Sequence, residues 1–183
     1  MTDPSQFSED RVAEMVAGVT KYLRDERALY FPESERLTED WKSSVHRYFP
    51  RTLLDTVRTV TFTGGVRIPP PFFYAKALAL SSGNFPDFVH LASVTYIDVI
   101  VFNEPITART LFHGLVHAQQ FAHLGLEPYA KMYLRGFLKT RLWVRIPLEE
   151  QAFKLEERFM IVPAKPFSVE EEVSLWASQG RYH

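Results

Sequence analysis

His113 and His117 lie four residues apart in the stretch Leu111-Phe-His-Gly-Leu-Val-His-Ala-Gln-Gln-Phe-Ala-His-Leu-Gly125. The stretch has a helical pattern. Successive helical residues turn by about 100°, so an i,i+4 pair is offset by only about 40° and both imidazoles project from one face. A helix presents two nitrogen ligands to one zinc ion in this way. Such a site needs a third protein ligand, usually with water in the fourth position. Two sources compete for that place. His123 continues the same helix, where it points about 100° or more away from the pair. It reads more simply as an ordinary helix histidine. The second source is Ile146-Pro-Leu-Glu-Glu-Gln-Ala-Phe153, in which Leu148, Ala152, Leu155 and Phe159 make an apolar stripe. Glu149 and Glu156 flank that stripe, while Glu150, Lys154, Glu157 and Arg158 fall on the opposite face. A carboxylate on the inward side of a helix is costly to bury unless it is paired or bound to metal. Glu149 is the preferred third ligand and Glu156 the fallback. The plain alternative is that the two histidines are satisfied core or surface residues and Glu149 an edge residue.

Several elements must hold these residues in place. Residues 8 to 29 read as an amphipathic helix capped by Ser8, with Val12, Met15, Val16, Val19, Tyr22 and Leu23 on its apolar stripe. A polar connector, Phe31 to Glu39, leads to a second helical stretch holding Trp41, Val45 and Tyr48, which Pro50 ends. Thr56 to Thr63 suits a strand, and Gly64-Gly65 turns the chain. Pro69-Pro70-Pro71 marks an extended loop, Phe72 to Leu80 is a helical candidate, and Ser81 to Asn84 is a breaker. Val94 to Phe102 reads as one strand. The two-histidine helix follows, with Thr107 or Asn103 as cap and Gly125 as its end. Pro128 restarts a helix through about Thr140, and Pro147 sits at a first helical position before Leu148 to Met160. A last helix, about Val169 to Ala177, follows the capping pattern Ser168-x-x-Glu171. Helices, then strands, then several helices indicate an α+β fold, helices packed on a small mixed or antiparallel sheet.

A chain of 183 residues is read as one domain over 1 to 183, with the metal-site core at about 94 to 160. A content of 46% hydrophobic and 14% aromatic residues excludes general disorder. A net charge of -1 gives no nucleic-acid footprint and no attraction to an anionic membrane. Without cysteine, disulfides, thiolate zinc ligands and thiol catalysis are excluded. The polar, acidic N-terminal residues lack a signal-peptide profile, and no apolar run approaches the ~20 residues of a membrane span. A cytoplasmic protein is expected, whose partner is a peptide or small-molecule ligand in a cleft beside the metal.

With these residues in view, the chain resembles the zincin metallopeptidases, and within them small bacterial zincin-like domains. The matching residues are Leu111-Phe112-His113, Leu115-Val116-His117, Gln119 or Gln120, Leu124-Gly125, and Ile146-Pro147-Leu148-Glu149 with Ala152. The likeness covers about residues 94 to 160, with Thr95 to Phe102 in the place of the zincin edge strand. It implies a zincin-like fold and one zinc ion held by His113, His117 and Glu149, the gluzincin arrangement. The chain departs from the pattern at one letter: the glutamate of His-Glu-x-x-His is Gly114.

In such enzymes zinc lowers the pKa of a bound water, and the glutamate takes its proton and passes it to the leaving amine. Gly114, at the vacant general-base position, can do neither, and a general acid–base group is typically worth ~10²–10⁴-fold in rate. Metal binding need not suffer. Three readings follow: a zinc-binding pseudoenzyme or binding module on a zincin scaffold; an active zinc-dependent hydrolase with a base from Glu104, Glu156, Tyr129, Tyr133 or His123, Gly114 then opening room for substrate; or a non-metal interaction domain. Tyr129 and Tyr133 share a helix face and could stabilise an oxyanion, Tyr133 being the catalytic candidate, although aromatics at this spacing more often belong to a core.

Overall fold

The computed structural model describes residues 8–71, 86–161 and 165–182. The helix expected over 72 to 80 and the breaker after it lie outside the described residues. Helix α1 spans Glu9–Tyr30; the Ser8 hydroxyl accepts from the Arg11 N–H, and Glu9 and Asp10 stand in the first turn, where the helix dipole favours them. A 3₁₀ turn, Phe31–Glu33, leads to the short strand β1, Glu35–Arg36. Helix α2, Glu39–Val45, is capped by Thr38, and α3, Arg51–Thr56, begins directly after Pro50. Pro50 thus both ends one stretch and starts a helix, a short element in the interval between the expected second helix and the expected strand. That strand, β2, covers only Arg58–Thr61.

The expected strand over 94 to 102 is a hairpin. Strand β3, Ser93–Tyr96, pairs antiparallel with β4, Val99–Phe102, in a register that matches Tyr96 with Val99. Ile97 and Asp98 form the two-residue turn, and Ile97 takes a φ of 64°, a left-handed conformation unfavourable for a β-branched residue. No Gly or Asn announces this turn; tertiary contacts impose it. Arg27 of α1 donates twice to the Asp98 carboxylate, at 2.7 and 2.8 Å, and the Asp98 carbonyl accepts from the Arg58 N–H at 2.9 Å. The sheet runs β1-β2-β4-β3, with β2 parallel to β4 and the other pairs antiparallel.

Strand β4 is central, and all four of its residues are 0% exposed. Val99 and Val101 face the α1 side with Tyr22, Tyr30 and Tyr96, while Ile100 and Phe102 face the main core. On that second face lie α4, Ala108–Leu124, α6, Pro147–Met160, and α7, Val169–Ser178; between α4 and α6 the chain forms α5, Leu126–Thr140, and a 3₁₀ turn, Trp143–Arg145. Phe112 of α4 stacks on Phe159 of α6 with ring centroids 4.3 Å apart, and Tyr48 and Phe49 meet Phe112 edge-on. The architecture is α+β, seven α-helices among the described residues packed on a small mixed sheet. No helix among the described residues is long and apolar enough to cross a membrane.

Candidate metal centre

The two-histidine helix starts where local chemistry tells it to. Thr107 accepts from the Thr110 N–H at 3.1 Å, Thr110 Oγ1 accepts from the Thr107 N–H at 3.1 Å, and Gly125, at φ 82°, ends the helix. Between these caps the i,i+4 geometry sets the rings of His113 and His117 side by side, centroids 4.8 Å apart. Their Nε2 atoms are 3.1 Å apart. Helix α6 packs against α4 and brings Glu149 in its first turn to the same point, with Oε2 3.6 Å from His113 Nε2 and 3.4 Å from His117 Nε2. The ligand atoms of these three residues all lie within 4.8 Å of one another. Glu149 is buried, at 7% exposure, so the inward carboxylate expected from the helix pattern has its partners here.

The hydrogen bonds behind the triad fix which atoms it offers. Gln120 donates from its amide nitrogen to the Leu148 carbonyl and to Gln151 Oε1, both at 3.0 Å. Its oxygen therefore accepts from His117 Nδ1, 2.9 Å away. His113 Nδ1 lies 2.9 Å from Glu156 Oε2, and that carboxylate also accepts from Arg109 Nε. Both imidazoles then carry their proton on Nδ1 and turn a bare Nε2 lone pair inward. Tyr133 donates to Glu149 Oε1 at 3.0 Å, which leaves Oε2 for the centre. Three acceptors aimed at one point repel each other unless a cation sits among them, so the residues present fit a divalent metal ion. In the metal-free chain a proton takes that role. Burial opposes the charge on His113, yet hydrogen bonds and attraction from Glu149 and Glu156 outweigh it and raise the group from 6.5 to about 9. Burial likewise pushes the Glu149 carboxyl up, but His117 and His113 overcome it and the net direction is down. The phenols of Tyr129 and Tyr133 are raised by burial and then by the Glu149 charge, and both stay protonated.

Glu156 stands one hydrogen bond behind the three converging residues rather than among them, orienting His113. His123 is exposed on α4 and takes no part, as its helix angle implies. Tyr129 and Tyr133 belong to the core and to the site at once. The Tyr129 ring stacks on Phe121 at 3.7 Å, while its hydroxyl is 3.3 Å from His117 Nδ1. Sequence reasoning missed Gln151 and Tyr182: the Tyr182 hydroxyl donates to Gln151 Oε1, and the Gln151 amide donates to the Glu172 carbonyl at 3.0 Å. Gln120 was half visible, one of two adjacent glutamines and three residues from His117 on the helix; nothing local marked Tyr182.

Gly114 faces the sheet. A Cβ there would meet Ile100 Cγ2 at 2.8 Å, Ile100 Cδ1 at 3.0 Å and Thr95 Oγ1 at 3.3 Å. Thr95 also donates to the Gly114 carbonyl at 3.1 Å. The room expected for substrate is filled by the β3–β4 hairpin, and glycine is what lets α4 lie that close. A cavity of about 400 Å³ opens instead beside His113, His117 and Glu149, walled by α1, β3, α5 and α6. Its acidic groups among the described residues are Glu149 and Glu156, both engaged; Glu104 is exposed and not on its wall. Comparison of the chain with protein-family models, with curated proteins and with solved structures gives no match.

Proposed function

We propose that the chain is a zinc-binding protein of zincin-like, metallopeptidase-related design, with weak or no peptidase activity. The observation that supports it best is the convergence of three acceptor atoms from two helices, each backed by a hydrogen bond that turns its lone pair inward. Neutral imidazoles with a carboxylate suit zinc, and three protein ligands leave a position for water or a ligand oxygen. A zinc ion there would act as a Lewis acid on that oxygen. The chain's own residues hold and orient. Glu156 and Gln120 keep the His113 and His117 rings in their tautomers, and Tyr133 holds the spare oxygen of Glu149. No free carboxylate among the described cavity residues is left to take a proton from bound water, which supports the loss of peptidase chemistry.

A cytoplasmic location goes with this reading and is tested by fractionation. The decisive experiment is metal analysis of the purified chain. One zinc per chain is expected, lost in His113→Ala and Glu149→Ala, with no cleavage of a general peptide substrate beyond background. A wild-type chain that takes up no metal would leave the interaction-domain reading instead, and zinc-dependent cleavage by the wild-type chain, abolished by Glu156→Gln with zinc held saturating, would restore an active hydrolase.

A further inference from the structure

The cavity beside the centre has polar groups concentrated at one place. Leu23, Val94, Leu134, Phe137, Trp143 and Phe153 give it apolar walls. Most polar side chains on those walls outside the centre are satisfied within the chain. Thr95 donates to the Gly114 carbonyl, Thr110 is tied into the cap of α4, and the hydroxyls of Tyr22 and Tyr96 pair at 3.1 Å; among the described wall residues Ser93 is the hydroxyl that remains. Among the described residues, a ligand in this space therefore finds the three-acceptor centre as its main polar anchor, with Ser93 and Arg109 beside it, and a mostly apolar container whose volume lies within the roughly 300–1,000 Å³ of small-molecule sites.

Charge selects the anchor's partner. A divalent ion with the Glu149 carboxylate and two neutral imidazoles keeps one net positive charge, and the Arg109–Glu156 pair behind it cancels internally. A single positive charge in an apolar cavity is costly unless an anion meets it. We propose that the centre binds a small monocarboxylate with an apolar body, the carboxylate on the metal and the body in the cavity. This rests on the metal reading above and adds the ligand to it.

The test uses the full chain loaded with zinc, its metal content measured first, and titrates it calorimetrically with straight-chain carboxylates from acetate to dodecanoate. Affinity is expected to rise about fourfold per methylene, the equivalent of ~0.8 kcal/mol each, until the cavity is full. Octanamide should bind at least tenfold more weakly than octanoate. In the cobalt-substituted chain, octanoate should shift the visible absorption of the metal. Leu134→Trp, which fills the cavity, should flatten the chain-length series while the metal stays bound. If that variant fails to fold, the wild-type series alone decides. A zinc-loaded chain whose affinity does not change with chain length, that binds octanamide as well as octanoate, or that prefers an apolar tripeptide overturns the ligand assignment and leaves the metal centre standing. Failure of the wild-type chain to hold metal overturns both, and is seen before any ligand is added.

Discussion

The Nδ1 protons of His113 and His117 decide what the pair can do, and neither proton is set by the histidine itself. Glu156 fixes one and Gln120 the other. Partners of this kind are typically worth ~10–100-fold in metal affinity. Glu156→Gln and Gln120→Leu should each weaken zinc binding by about that factor in a chelator competition, with circular dichroism unchanged. The same contacts give the metal-free chain a distinctive pH profile. His113, raised to about 9, contributes stability that is fully present below its ordinary 6.5 and is lost as pH rises through 9. Glu149, lowered from 4.5, contributes stability present above that value and lost as pH falls below it. Thermal stability of the metal-free chain should therefore peak at about pH 5 to 6.5 and decline toward 9. Zinc loading should remove the alkaline decline, because ligating imidazoles are neutral, and binding near pH 7 should release a proton, measurable by calorimetry in two buffers of different ionisation enthalpy. An alkaline limb that persists in the loaded chain would count against His113 as a ligand.

At the scale of elements, the close approach of α4 to the β3–β4 hairpin sets the geometry of the centre. Gly114 permits the approach and Ile100 fills the space beneath it. Gly114→Ala forces Ile100 to move and should destabilise the fold by about 1–3 kcal/mol, against the ~1 kcal/mol that glycine-to-alanine normally gains in a helix. Ile100→Ala alone costs about 2–5 kcal/mol as a buried large-to-small change. The two together should cost less than their sum, a coupling measurable by denaturant unfolding. Strict additivity would show that α4 does not press on the sheet at this point. A glutamate introduced by Gly114→Glu meets the same wall and needs Ile100→Ala beside it.

At the scale of the whole molecule, the centre is tied to the end of the chain. Tyr182 holds Gln151, Gln151 holds Gln120, and Gln120 holds His117. Tyr182→Phe removes one hydroxyl far from His117 in sequence. A buried hydrogen bond contributes about 1 kcal/mol, so zinc affinity should fall by no more than about fivefold, while the packing against Trp176 remains. Unchanged affinity would show that Gln120 keeps its orientation through the Leu148 carbonyl alone.

What the sequence determined by itself is what local rules control. The i,i+4 histidines, the caps at Ser8 and Ser168, the glycine that ends α4 and the inward side of α6 all follow from helix periodicity and from orphan backbone groups, while the choice of Thr107 over Asn103 as the cap of α4 was left to the fold, which ties the Asn103 side chain to Ile68, Phe88 and Leu91. Glu149 emerged the same way, since a carboxylate on an apolar side must have a partner. The break at Ile97-Asp98, the reason for Gly114 and the parts played by Glu156, Gln151 and Tyr182 were decided by tertiary structure. Each depends on atoms 14 to 71 residues away in sequence, the Ile100–Gly114 and Arg27–Asp98 contacts marking the two ends of that range. Such contacts exist only after the chain has paid the entropy of closing those loops, and no local pattern records them.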